Sequence, residues 1–410
     1  MSNPLQQSLS VASGLSPQPA TSKPASSLSV GNIAAAMRPA ATQSATQQQP
    51  EIADEFGHDV AFNLAFIGSG QGGARIASSF HSLGYRRVCL FNTAENDFEG
   101  LSSDIQRHVL NLGGAAKDAK FAETALIGQT EAVRDLLQRA WGNNADYGLI
   151  CVGLGGGTGS GTSHKMVEIA REFMASKGKP PRVGVIASIP SPSEGQQVCR
   201  NALVALQRLI KMKVSPLILI DNAKINTIYK PGMRRLYPTA NSTVSGLFHL
   251  FNQLAAVHSD LITFDRSELA QLLDNGIVVM GAATLTNVTT PADVSEGIRN
   301  QLSQNVLADV DLQTGSKGAC LFVVSEELLD TLDLSFFEAG FTQMNRTLKG
   351  GEGGSNVVHR GIYSNSDPSM QVYAMISDLS PPMETLVRLS NVAKMGDMKT
   401  SGGLAEFLSL

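Results

Sequence analysis

A chain of 410 residues is long enough for two domains, and its 42% hydrophobic and 17% charged residues are the balance of a globular protein. The formal net charge of −4 excludes a global electrostatic attraction to nucleic acid or to an anionic membrane. Four dispersed cysteines without a CxxC pair (Cys89, Cys151, Cys199, Cys320) indicate neither a disulfide framework nor a zinc site, and fit a cytoplasmic location. No apolar run approaches the ~20 residues that span a bilayer. The start has no basic cluster leading into an apolar core, so no signal peptide is expected.

Residues 1–50 are built mainly of Ser, Ala, Gln, Pro and Thr, with Lys23 and Arg38 the only charged side chains. Too few large apolar groups are present to offset the entropy of ordering, so 1–57 is expected to be a disordered arm. Ala61–Ile67 reads as a strand running into Gly68-Ser69-Gly70-Gln71-Gly72-Gly73. A helix through Ile76, Phe80 and Leu83 follows, stopped near Gly84, and Arg87–Phe91 is a second strand ending at Asn92-Thr93-Ala94. This is a βαβ unit with parallel strands, and its loop fits the G-x-G-x-x-G dinucleotide pattern. Val109–Leu112 leads into Gly113-Gly114-Ala115, whose small residues can present N–H groups. One helix is expected from about Thr124 to Trp141.

The stretch Leu149–Ser163 joins a buried strand to a helix through Gly153, Gly155, Gly156, Gly157, Gly159 and Gly161, with Thr158 and Ser160 between them. Glycines admit an oxyanion close to backbone N–H groups, hydroxyls add donors, and the positive end of the helix dipole faces the same point. A strand at Arg182–Ile189, the loop Pro190–Gly195, a helix from about Gln197 to Lys211 and a strand at Pro216–Ile220 continue the alternation. The pattern predicts an α/β fold with a doubly wound parallel sheet, whose ligand loops lie at the strand C-terminal ends.

A long apolar helix is expected from about Asn241 to Ala256, then a smaller α+β unit. Its strands are Ile277–Met280, Gly318–Val324 and Gln371–Ile376, and its helices lie near Val294–Val306 and Leu334–Asn345. Lys349–Ser355 reads as a turn, and the chain after about Pro382 as loosely ordered. The seven histidines show no metal-ligand spacing, and the G-x-x-x-x-G-K-[ST] pattern is absent.

Together these motifs resemble the tubulin/FtsZ superfamily, whose signature phosphate loop GGGTG[ST]G is similar to residues 155–161. The resemblance runs from about residue 60 to 380 and points to a divergent prokaryotic, plasmid or phage branch. It implies a GTP-binding domain (58–240), a central helix (241–258), a C-terminal α+β activation domain (259–380) and a flexible tail (381–410). It implies GTP and GDP as ligands, with Mg2+ carried mainly by the phosphates and no protein metal ligand assigned.

By the same resemblance, Gly70, Gln71, Gly72 and Gly73 form the first phosphate loop, and Asn92 begins an Asn-Thr-Asp-type turn in which Ala94 replaces the acid. Gly113 and Gly114 lie at the γ-phosphate, Glu194 takes the ribose, and Asn222 and Asn241 read the guanine edge. Amides offer both donor and acceptor to a purine. Asp265 and Glu268 are similar to the family's catalytic loop, with Thr263 in place of its Asn. The resemblance has this loop act on the nucleotide of the next subunit in a head-to-tail homopolymer. The same pair is also an ordinary helix N-cap pattern, a reading the residues leave open.

The N-terminal arm or the C-terminal Leu404–Leu410 could dock an adaptor. Two other readings stay open: a GTP-binding structural or regulatory homologue without turnover, and an NAD(P) oxidoreductase built on Gly68, Gly70 and Gly73.

Overall fold

The computed structural model describes residues 52–229, 236–365 and 369–394. Six parallel strands line up as β3 (Gln106–Val109), β2 (Val88–Asn92), β1 (Leu64–Ser69), β4 (Tyr147–Gly153), β5 (Val183–Ile189) and β6 (Leu217–Asp221). They continue through β7 (Ile277–Leu285), β10 (Met370–Leu379), β8 (Lys317–Ser325) and β9 (Val357–Asn365) into one ten-stranded mixed sheet. The join is narrow: β6 pairs with β7 only at Leu217–Ile277 and Ile218–Val278. Beyond it, β10 runs antiparallel to both β7 and β8.

Strand residues alternate between two apolar cores. Ala65, Ile67, Ile150 and Val152 face one, and Leu64, Phe66, Leu149 and Cys151 face the other, as the period-2 geometry of a strand requires. Because both faces are covered, these strands read as continuous apolar runs.

Among the described residues, twelve helices cover the sheet. In chain order they are α1 (Gly70–Leu83), α2 (Ala119–Ile127), α3 (Thr130–Trp141), α4 (Gly157–Ser176), α5 (Gln196–Lys211), α6 (Asn222–Tyr229), α7 (Leu236–Leu254), α8 (Arg266–Leu273), α9 (Pro291–Asn305), α10 (Glu326–Thr331), α11 (Leu334–Thr347) and α12 (Met383–Ala393). Helix α1 stops where expected: Gly84 takes φ 116° and its N–H reaches the carbonyls of Phe80 and His81. Helix α7 buries Val244, Leu247, Phe248, Phe251 and Leu254 in the same core as α1. Among the described residues no helix is long and apolar enough to cross a membrane.

Several expectations are corrected. The single helix at 124–141 is two helices broken at Gly128 and Gln129, and it starts earlier, where the Asp118 carboxylate accepts from Phe121 N–H. The central helix begins at Leu236, so Asn241 lies in its second turn. Strand β9 is an addition: three of its nine residues are exposed, which weakens the apolar signal. The stretch after Pro382 is not loose, because Leu386, Leu389 and Ala393 recur at helical spacing and are buried, and α12 packs against α5. Order also begins before Val60: Asp54 pairs with buried Arg87 at 2.9 Å and Glu55 N–H donates to the Gly84 carbonyl. Residues 1–51 of the arm and the segment Leu404–Leu410 lie outside the described residues.

Below the sheet, Asn252 of α7 closes a ring with Phe62, accepting from its N–H at 2.8 Å and donating to its carbonyl at 3.0 Å. Beside it, His249 Nδ1 lies 3.1 Å from the Tyr85 hydroxyl. Burial, and then the neighbouring His58, push the His249 pKa down to about 3. The unfolded chain therefore binds a proton that the folded chain refuses, and stability present above about pH 6.5 is lost as pH falls. Urea unfolding at stepped pH should show stability declining below pH 6.5, with His249 contributing up to about 1.4 kcal/mol per pH unit. His249→Gln should flatten that slope, and equal slopes would rule out His249 as its source.

Candidate functional site

The carboxyl ends of β1, β2, β4, β5 and β6 open on one cavity of about 620 Å³, within the ordinary size of a small-ligand site. Ser69, Gly70, Gln71 and Gly72 form one wall, and Gly153 with Gly155–Gly159 another. The two glycine loops touch backbone to backbone. Gly70 sits at φ 71°, and a Cβ there would lie 3.0 Å from Gly159 N. A Cβ on Gly73 would lie 2.0 Å from the Cys151 carbonyl oxygen. Only glycine lets α1 start this close to β4.

Helices α1 and α4 both begin at the cavity. Neither has an acidic residue in its first turn or a side chain capping its N-terminus. Their orphan N–H groups and positive dipole ends therefore remain available to an anion. Arg75 and Lys117 add two cationic side chains that the sequence reading did not assign. Lys117 follows the Gly113–Ala116 loop, and buried Asn201 ties that loop to the signature loop by donating to the Lys117 carbonyl at 2.9 Å and to that of Gly155 at 3.3 Å.

The expected residues divide into those that line the cavity and those that support it. Gly70, Gln71, Gly72, Gly113, Gly114, Gly155, Gly156, Gly157, Thr158, Gly159, Glu194, Asn222 and Asn241 line it. Gly73, Asn92, Ser160 and Gly161 do not. A Cβ on Gly161 would lie 2.0 Å from the Ala119 carbonyl oxygen, so this glycine admits α2. The Ser160 hydroxyl turns back to the Gly156 carbonyl, and its residue lines a neighbouring cavity of about 600 Å³ between α2 and α5. Asn92 is fully buried and donates to Asp97 at 2.8 Å. The 3₁₀ turn Glu95–Phe98 brings the Asp97 carboxylate back to the cavity three residues after Ala94. The acids at 95 and 97 were the available signal for that residue.

At the other end of the cavity Tyr237 and Asn241 stand one turn apart on α7, on one face. Burial and then the Glu194 carboxylate raise the Tyr237 hydroxyl pKa. Glu194 itself accepts from Ser191 N–H at 2.7 Å. Asn222 follows Asp221, a buried carboxylate that accepts from Ala223 N–H at 2.9 Å and from the Thr385 hydroxyl of α12 at 2.7 Å. Helix α12 thus holds the β6–α6 junction that places Asn222, a link without local sequence signal.

Asp265 and Glu268 lie outside this cavity. Asp265 caps α8, accepting from the N–H groups of Ser267 and Glu268 at 2.7 and 2.9 Å, while Glu268 accepts from Asp265 N–H at 3.0 Å. The Ser267 hydroxyl first, then the backbone bond from Glu268, hold the Asp265 carboxyl below its ordinary pKa.

A parallel sheet with two glycine loops and two open helix N-termini at one cavity defines an α/β protein whose site has the geometry to hold a phosphorylated ligand. Residues 63–230 match the Tubulin/FtsZ family, GTPase domain. The tubulin-like protein TubZ of Bacillus cereus is 23% identical over 299 residues, covering 65% of this chain and 67% of TubZ. Cell division protein FtsZ 1 of Pyrococcus furiosus is 26% identical over 214 residues, covering 51% of this chain and 52% of its own length. In fold, a GTPγS-form protofilament of Bacillus thuringiensis serovar israelensis TubZ is similar at TM-score 0.71 and 20% identity, over 82% of this chain and 92% of that one. The GTPγS-bound protofilament of CetZ2 from Haloferax volcanii reaches 0.66 at 18% identity, over 81% and 97%.

The packing separates structural glycines from lining ones. Gly161→Ala should lower the melting temperature by several degrees, whereas Gly156→Ala, with open space around its Cβ, should leave it within about 2 °C. Equal melting shifts would contradict this division.

Proposed function

We propose that this chain binds GTP in the cavity and hydrolyses it as a subunit of a head-to-tail filament, with Asp265 and Glu268 of one subunit completing the site of the next. The observation that carries this reading is the separation of the two parts: an anion cradle with amides at its far end, and an acid pair outside it. The family is one of GTPases, and the similar TubZ and CetZ2 structures are protofilaments. A head-to-tail contact is heterologous and need not close on itself, so it can build open filaments.

In this reading the N–H groups of Gly70–Gly72 and Gly155–Gly159 hold the phosphates, helped by Arg75 and Lys117. Glu194 takes the ribose, and Asn222 and Asn241 read the base beside Tyr237. Bound Mg2+ would neutralise charge developing on the phosphates. Asp97, held by Asn92, is the carboxylate that fits it, and no cluster of three or more His, Cys, Asp or Glu occurs among the described residues. That suits an ion held by one carboxylate plus phosphates. Glu268 orients the attacking water, and Asp265 fixes the turn that presents it. The division into units at 58–240, 241–258 and 259–380, a cytoplasmic location and an adaptor on either terminus belong to the same proposal.

A second reading, GTP binding without turnover, is favoured by one observation: Asp265 and Glu268 already satisfy each other as a helix cap. The oxidoreductase reading leaves the second glycine loop and the family match unexplained.

The rate of GTP hydrolysis per subunit should rise steeply with protein concentration through the assembly range, and a flat rate would count against a shared site. Glu268→Gln keeps the capping geometry. It should bind GTP normally, lose about 100-fold or more in turnover and give long-lived filaments. Normal turnover in that variant would remove Glu268 from the site.

A further inference from the structure

We infer that His359, on β9, is a positioning residue for Glu268, an assignment that rests on the hydrolysis proposed above. The two oxygens of the Glu268 carboxylate have separate partners. Oε2 accepts the Asp265 N–H, which is the helix cap, and Oε1 lies 3.1 Å from His359 Nδ1. A cap needs only the first contact. The second is supplied from 91 residues away, by a side chain 7% exposed, to a carboxylate 27% exposed.

Against a carboxylate oxygen, Nδ1 must carry the proton, which fixes the ring tautomer. It leaves Nε2 as a buried nitrogen without a partner. An unpaired buried polar atom is unfavourable, and an apolar residue at 359 would avoid it. The imidazole therefore earns its position through Glu268 rather than through packing alone.

The rest of β9 braces the same loop. Four residues on, on the same strand face, the Tyr363 hydroxyl accepts from Phe264 N–H at 2.9 Å and lies 3.0 Å from the Leu254 carbonyl at the end of α7. The Ile362 carbonyl accepts from the Ser259 hydroxyl, and the Ile362 N–H donates to the Ile262 carbonyl at 2.9 Å. Phe264, fully buried, packs beside the His359 ring at 6.3 Å. The backbone before Glu268 is thus fixed by Tyr363 and Ile362, and the remaining freedom, rotation of the Glu268 carboxylate, is removed by His359. An imidazole holding a carboxylate in one orientation has the same logic as the partner that orients a catalytic base in a triad.

The test uses the full chain above its assembly threshold, with GTP turnover per assembled subunit, KM for GTP, filament pelleting and thermal melting measured together. Asn places its amide N–H near the position of Nδ1, whereas Gln places it near Nε2. His359→Asn should keep turnover within about threefold of wild type. His359→Gln and His359→Leu should each lose tenfold or more in kcat, with KM and the assembly threshold unchanged. In a Glu268→Gln background, His359→Gln should cause no further loss, because the group it positions is gone.

Equal turnover of the Asn and Gln variants, or a further tenfold loss in the Glu268→Gln background, would overturn the assignment. Should His359→Leu fail to fold, the Asn and Gln pair still decides. Wild-type turnover in Glu268→Gln alone would instead sink the proposed role of Glu268.

Discussion

The contact on which the rest of the structure depends is the backbone-to-backbone meeting of the two glycine loops. Gly70 and Gly73 lie against Gly159 and Cys151 with no room for a Cβ at the closest point. This contact sets α1 and α4 side by side with their N-termini toward one cavity, so two helix dipoles act on one anion site. Hydroxyl pairs lock the arrangement: Ser69 to Thr162 at 2.6 Å and Thr93 to Thr158 at 2.9 Å. All four residues are buried, which strengthens bonds that would be worth little in water.

Helix α7 relates the cavity to the acid pair. Its first turns present Tyr237 and Asn241, and its last residue, Leu254, is tied by Tyr363 to the loop before Asp265. Nineteen residues at 1.5 Å each make it about 28 Å long, so the two ends cannot act on one small molecule within a single subunit. The helix is apolar on the faces that meet α1 and the sheet, and it works as a rigid spacer. The proposed division of the site between neighbouring subunits rests on this geometry.

The strongest local signals were the most legible. Strands β1, β4 and β5 are short apolar runs bounded by glycine or proline, and their positions were readable within a few residues. The two glycine loops that line the cavity are contiguous in sequence, so Gly70–Gly72 and Gly155–Gly159 could be found as motifs. The misreadings arise where packing overrides or hides the pattern. Gly128 breaks a helix whose apolar spacing looks continuous, and β9 mixes exposed with buried residues without a regular period. The face of α12 has meaning only against α5. Arg75, Lys117, Asp97 and Tyr237 stand at the cavity because their elements converge there, and none belongs to a motif.

The chain's residues by themselves determined the α/β class, the two phosphate-type loops and the acid pair at 265 and 268, because each is a local pattern of chain geometry and side-chain chemistry. Tertiary structure alone decided which glycines face the cavity and which merely admit a neighbouring backbone. It also decided that Asp97 stands near the position left by Ala94, that α12 holds the β6–α6 junction at Asn222 and that His359 faces Glu268. Those pairings join residues as far apart as 164 positions. No short-range periodicity encodes such contacts, since they depend on the order in which strands take their places in the sheet.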